Sequence, residues 1–129
     1  MASALYPSFK QLLLGGDIDL AADDIRAVIV DTADYTYNAG HDFLDDVAAG
    51  ARVAVSGALA SKTITGGVFD AGDVTFTAAT GDSVEAIVLY KHTGSDATAS
   101  LIAYIDGVSV TPNGGNIVAQ WHPSGIFAL

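Results

Sequence analysis

Val84-Glu85-Ala86-Ile87-Val88-Leu89-Tyr90-Lys91 and, after a polar break, Ser100-Leu101-Ile102-Ala103-Tyr104-Ile105-Asp106 decide how this chain folds. Both runs are built of β-branched, aliphatic and aromatic residues, which suit a pleated, half-buried surface. The break, His92-Thr93-Gly94-Ser95-Asp96-Ala97-Thr98, is made of turn formers. Two such runs joined this way predict a long β-hairpin. Each is nearly continuous in apolar residues, so the pair is expected at the centre of a sheet, buried on both faces.

Shorter elements are expected around this hairpin. Leu5-Tyr6-Pro7 reads as an extended lead-in to a two-turn helix with Ser8 as N-cap and Gln11 three residues later. Phe9, Leu12 and Leu13 give that helix an apolar face, and Gly15-Gly16 end it. A helix this short has to dock, either on its own domain or, as an arm, on a neighbouring subunit. Strand-like runs follow at Ile25–Asp31, Ala51–Ser56, Lys62–Thr65, Val68–Asp70, Val74–Ala78, Val108–Val110 and Asn116–Trp121, with Ile126–Leu129 as an apolar tail. His41–Val47 fits one helical turn, and Asp106-Gly107 reads as a turn. Turn signals every eight to twelve residues predict a mainly β protein. The expected architecture is an antiparallel β-sandwich or barrel with a short N-terminal helix and one further helical turn. The expected division is an arm over 1–16 and a single β-rich domain over 17–129.

Composition narrows the function. A chain of 129 residues can bury a real core without staples, and with no cysteine it has neither disulfides nor thiolate metal sites. Its start lacks the basic and apolar regions of a signal peptide, and no apolar run nears the roughly 20 residues that span a bilayer, so a soluble protein made in a cytoplasm is expected. Fifteen acids, all aspartate except Glu85, face five lysines and arginines, for a net charge of −10. That balance argues against nucleic acid and anionic membranes as partners. Half of the residues are nevertheless hydrophobic and mean hydropathy is +0.40. So much apolar surface on a small acidic chain points to an oligomer or a part of a larger assembly.

Reactive motifs are sparse. Asp17-x-Asp19, Asp23-Asp24 and Asp42-x-x-Asp45-Asp46 offer oxygen ligands but do not match a calcium loop, and aspartates also start turns and cap helices. His41, His92 and His122 are scattered without zinc-ligand spacing. No Gly-x-Ser-x-Gly elbow frames a nucleophile, Glu85 alternates within a strand, and Gly66-Gly67 and Gly114-Gly115 lack the context of a phosphate loop. Tyr35, Tyr37, Tyr90, Tyr104 and Trp121 suit a sugar or partner surface, although Tyr90, Tyr104 and Trp121 lie in strand-like runs and equally suit core or sheet-face packing. No metal or cofactor is expected.

Several segments together carry a resemblance: Leu5–Lys10, Ile25–Tyr37, Ala49–Ala54, Gly67–Thr77, Leu101–Asp106 and Thr111–Ile117. Along most of its length the chain resembles small virion structural proteins of tailed bacteriophages, and is similar to head decoration (capsid cement) proteins. The resemblance implies a non-enzymatic protein on the capsid surface, made in the host bacterial cytoplasm. It implies the phage major capsid protein as partner, and self-association as a homotrimer. The residues expected to face the capsid are Leu5, Tyr6, Phe9 and Leu12, chosen for their amphipathic spacing in the arm. Two alternatives stand beside this. One is a tail-associated or receptor-contacting protein with Tyr35-Thr36-Tyr37-Asn38 as its patch; the other is a small hydrolase or carbohydrate-binding module with a cleft where aspartates and a histidine converge.

Overall fold

In a computed structural model, described over residues 3–129, the hairpin lies where its composition puts it. The strands are β1 (Ala4–Leu5), β2 (Ile25–Val30), β3 (Arg52–Val55), β4 (Thr63–Thr65), β5 (Val68–Asp70), β6 (Val74–Phe76), β7 (Val84–Lys91), β8 (Leu101–Val110), β9 (Ile117–Ala119) and β10 (Phe127–Ala128). One α-helix, α1, spans Pro7–Leu14, and short 3-10 turns lie at Leu44–Asp46 and Ala49–Ala51. The main sheet has five strands in the order β1-β8-β7-β2-β3, and smaller sheets are formed by β10-β5-β4 and β6-β9. All pairings are antiparallel, so the mainly β, antiparallel expectation holds.

Strand β7 is central, and Ala86 to Tyr90 are buried without interruption. Alternation along the paired strands puts Val28, Val88 and Tyr104 on one face and Ala27, Leu89 and Ala103 on the other. Tyr104 meets the rings of Tyr35 and Tyr37 at 6.3 and 5.6 Å, so the 31–51 connection covers the first face. On the second face Ala103 and Ile105 share a cavity wall with Ile126 and Phe127, which brings the β10-β5-β4 sheet against the main one. This layering explains why both hairpin strands read as continuous apolar runs.

Strand β8 passes through Asp106-Gly107 instead of turning there. Val84 pairs with Val110 and Ala86 with Asp106, so β8 spends four residues where β7 spends two. The excess is absorbed as a bulge at Gly107, whose φ of +87° suits glycine. A second register shift sets Leu89 opposite Ala103 but Tyr90 opposite Leu101. The residue between, Ile102, accepts the Tyr6 N–H on its carbonyl at 3.0 Å.

That bond belongs to a larger correction. Residues 3–16 are not a separate arm. Ala4 and Leu5 pair with Tyr104 and Ala103 at the edge of the main sheet, and Tyr6 and Phe9 are 0% exposed. The helix starts at Pro7 rather than after Ser8. Tyr6 is the N-cap without a side-chain cap, because proline at the first helical position has its φ preset and no N–H to satisfy. Tyr6 donates to or accepts from the Tyr35 hydroxyl at 2.7 Å, and Tyr35 in turn meets His41 Nδ1 at 3.0 Å. Burial, together with the hydrogen bond to Tyr35, pushes the Tyr6 hydroxyl far above its ordinary pKa.

Candidate functional site

An apolar groove of about 370 Å³ opens between the β10-β5-β4 sheet and the end of α1 with the segment that follows it. One wall is a row across the small sheet. Ile64 pairs with Phe69 and Phe69 with Phe127, so the three share a face. Phe127 is held edge-on by Phe9 at 5.8 Å and lies 5.4 Å from Phe69, so the row is anchored in the core. Its far end is open, and Ile64 is 53% exposed. The other wall is Leu13 at the end of α1 with Ile18 and Leu20 of the following segment. Leu129, held by its N–H to the Gly67 carbonyl at 2.9 Å, closes the rim with its side chain 71% exposed. Leu14, next to Leu13, is 88% exposed.

Two lysines tie down the 17–23 segment beside the groove. Lys91 reaches the Asp23 carboxylate at 3.3 Å and the Asp17 carbonyl at 3.1 Å, while Lys62 donates to the Asp23 carbonyl. The Asp23 carboxylate also accepts the Asp19 N–H at 2.8 Å, and Asp19 lines the groove. Lys10 lies one helical turn before Leu13 and Leu14 on α1. The Asp19 amide, then Lys91, holds the Asp23 carboxyl below its ordinary pKa. The groove itself offers apolar contact, with a single carboxylate among its walls.

The four residues expected to face a partner do not act together. Tyr6 and Phe9 are core residues, a correction that follows from their enclosure between β8, the 31–51 connection and the small sheet. Leu5 is half-buried and lines a cavity beside Ile126, whereas Leu12, also half-buried, lines a different one with Asp42 and Phe43. Sequence reading missed the groove. One signal was available: Leu12, Leu13 and Leu14 in succession are more than one face of a two-turn helix can bury.

The tyrosine patch forms a polar depression of about 250 Å³ lined by Thr32, Tyr35, Thr36, Tyr37, Tyr104 and Asp106. Tyr35 and Tyr104 are each only 3% exposed, so neither presents a ring face on which a sugar can stack. The aspartate pairs noted in the sequence serve local structure. Asp19 accepts the Ala21 and Ala22 amides at 3.0 and 3.3 Å, and Asp24 holds Arg26 at 3.0 Å. Asp46 accepts the amides of Asp42 and Phe43 at 2.9 and 3.4 Å. Among the described residues, the carboxylates that do converge are Asp31, Asp34 and Asp82, within 4.8 Å of one another. Asp31 there caps a turn through the Ala33 amide at 2.9 Å. His122 likewise closes a turn, accepting the Ser124 N–H at 3.0 Å.

The Asp42–Asp46 pair yields a test. Desolvation and the neighbouring Asp46 carboxyl raise the Asp42 pKa, while the Asp42 amide and the other backbone bond lower that of Asp46. A folded-state pKa above the unfolded one means that the ionised Asp42 opposes folding once pH exceeds that value. Asp42→Asn is therefore expected to raise stability at pH 7 by a few tenths of a kcal/mol, the scale of an exposed pair, or about 1–2 °C in Tm. The gain should vanish near pH 3, roughly one unit below the ordinary aspartate pKa, where the carboxyl is protonated in both states. Thermal melts at the two pH values check this, and an equal effect at both would refute it.

Compared with protein-family models and with curated proteins, the chain matches none.

Proposed function

We propose that this is a structural, non-enzymatic virion protein: a capsid decoration protein that binds the outside of the major capsid protein shell and stabilises a phage head. The observation that carries this reading is the open apolar groove, which offers contact area rather than reactive groups, on a chain whose charge is otherwise strongly negative. Large apolar surface bordered by polar residues is the mark of a protein contact. The phage assignment draws its support from the resemblance along the chain. The mechanism is mechanical. A protein that touches several capsid subunits makes their separation cost several interfaces together, and its acidic surface keeps finished particles apart. Leu5 and Leu12 remain as partly exposed positions for capsid contact; Tyr6 and Phe9 hold the body that presents them.

Immunogold electron microscopy of intact virions with antibodies to the purified domain tests the assignment. Gold spread over the head faces is the expected result. Gold confined to the tail tip would overturn it in favour of the tail-associated reading, and absence of the protein from virion mass spectra would remove it from the particle altogether.

A further inference from the structure

We infer that the polar depression of the tyrosine patch takes the ammonium group of a lysine side chain from a partner protein. The inference rests on the decoration reading for the source of that lysine, a protein surface that this chain covers.

The depression contains a hydroxyl without a partner. Tyr104 is 3% exposed and lines it. The neighbouring hydroxyls are engaged: Tyr35 bonds Tyr6 and His41, Tyr37 donates to the Leu5 carbonyl at 3.4 Å, and Thr32 donates to Glu85 at 2.9 Å. Among the described residues the Tyr104 hydroxyl makes no such bond. Fully buried side-chain nitrogens and oxygens among those residues all have partners, so this oxygen opens into the depression. A phenol oxygen has lone pairs to offer, and what it lacks here is a donor.

Charge near that oxygen is of one sign. Asp106 lies two residues on along β8, so it projects on the same face, and its backbone N–H is held by Ser3 Oγ at 2.9 Å. Burial, then the Asp106 and Glu85 carboxylates, raises the Tyr104 pKa. Both acids are thus within electrostatic reach of the hydroxyl, which stays a neutral phenol. The converging carboxylates of Asp31, Asp34 and Asp82 add to this field, since Asp31 precedes Thr32 of the lining. No lysine, arginine or histidine belongs to the lining. The site favours a cation.

Size and donor chemistry choose among cations. The depression holds about 250 Å³, far more than a bare metal ion fills, and its lining supplies one carboxylate among neutral hydroxyls. A divalent metal needs several oxygens at close range, carboxylates foremost. A guanidinium is a planar fork that seeks two oxygens in one plane, whereas an ammonium is a compact charge with three donors. A phenol oxygen and a separate carboxylate suit the second. The methylene stem of a lysine can lie along the half-buried Tyr37 while its head reaches Tyr104.

The test is an NMR titration of the full chain, labelled on its tyrosine rings, with Nα-acetyl-lysine methylamide. The expected result is a saturable shift of the Tyr37 and Tyr104 rings. The norleucine analogue, which keeps the stem without the charge, should give none, and neither should calcium chloride. Tyr104→Phe, followed at Tyr37, should weaken binding at least about tenfold, the effect of losing a hydrogen bond to a charged group. Because that hydroxyl holds nothing in the folded chain, the variant should keep the wild-type melting temperature. Asp106→Asn should also weaken binding, whereas Asp73→Asn, which removes an exposed charge outside the depression, should not. No saturable response to the lysine probe would overturn the inference, as would an equal response to the norleucine probe. So would Tyr104→Phe binding like wild type, calcium shifting the same rings, or Asp73→Asn weakening binding as much as Asp106→Asn. Failure here is separable from failure of the decoration reading. Gold on the heads without probe binding retires only the lysine site, and probe binding with gold at the tail tip retires only the decoration role.

Discussion

Phe9→Ala is expected to lower stability by about 3–5 kcal/mol and the melting temperature by roughly 10–20 °C. Phe9 is fully enclosed and packs edge-on against Phe127, which in turn lies against Phe69. Removing the ring takes away its own burial and one side of the contact that holds the small sheet on the main one. A loss of that size is a large part of the roughly 5–15 kcal/mol that keeps a domain folded. Leu14→Ala, five residues along the same helix but exposed, should change the melting temperature by no more than a degree or two, roughly the range of surface substitutions. If the helix were an arm that only reaches outward, both variants would melt like wild type, and equal melts would refute the packing described. For the same reason, deleting residues 1–14 should fail to give a folded body.

Gly125→Ala should be nearly as damaging and act at the other end of the chain. At a φ of +108° a side chain is strained, at a cost of about 1–3 kcal/mol. An added Cβ would also stand 2.3 Å from Val68 Cγ1 and 3.3 Å from the Phe69 carbonyl. Relief requires the 122–129 segment to lift away, which breaks the Ile126 N–H bond to Phe69 at 2.8 Å and withdraws Phe127 from the core. Gly94→Ala is the matched comparison: its φ is +92° and nothing lies within 4 Å of the new methyl, so it carries the backbone strain alone. The difference between the two melts isolates the clash. The single tryptophan reports the event, since Trp121 donates its indole N–H to the Gly72 carbonyl at 2.9 Å and should shift to longer emission wavelength as the segment leaves. Equal destabilisation by the two substitutions would show that Val68 yields without cost.

Much of the fold was legible because its largest element is local. The bounds of β7 coincide with the apolar run Val84–Lys91, and β8 begins one residue inside its own. What periodicity cannot carry is the effect of residues far away in the chain. Asp106-Gly107 has the composition of a turn, yet its neighbours on β7 hold it in a strand by accommodating extra residues in a bulge. The N-terminal segment has the amphipathic spacing of an arm, and spacing alone does not say whether the partner is another subunit or the same chain. Here it is the same chain. The groove was hidden for a related reason. Its walls come from residues 13–20, 64–69 and 127–129, and no window of sequence contains them together. The lysine bonds beside it likewise exist only after Lys62 and Lys91 are folded against the 17–23 segment.

The pairing of β1 with β8 sets a schedule for biosynthesis. Ala4 and Leu5 are made before the strand that receives them, at Ala103 and Tyr104, which follows about 100 residues later, roughly 5–20 s at ordinary elongation rates. Throughout that interval Phe9 lacks the Phe127 ring and Tyr6 lacks its bond to the Ile102 carbonyl, so the enclosure that both reach in the finished chain is incomplete. Folding is therefore completed only after the central hairpin has emerged. One edge of the sheet is thus made about 100 residues before the strand that seats it.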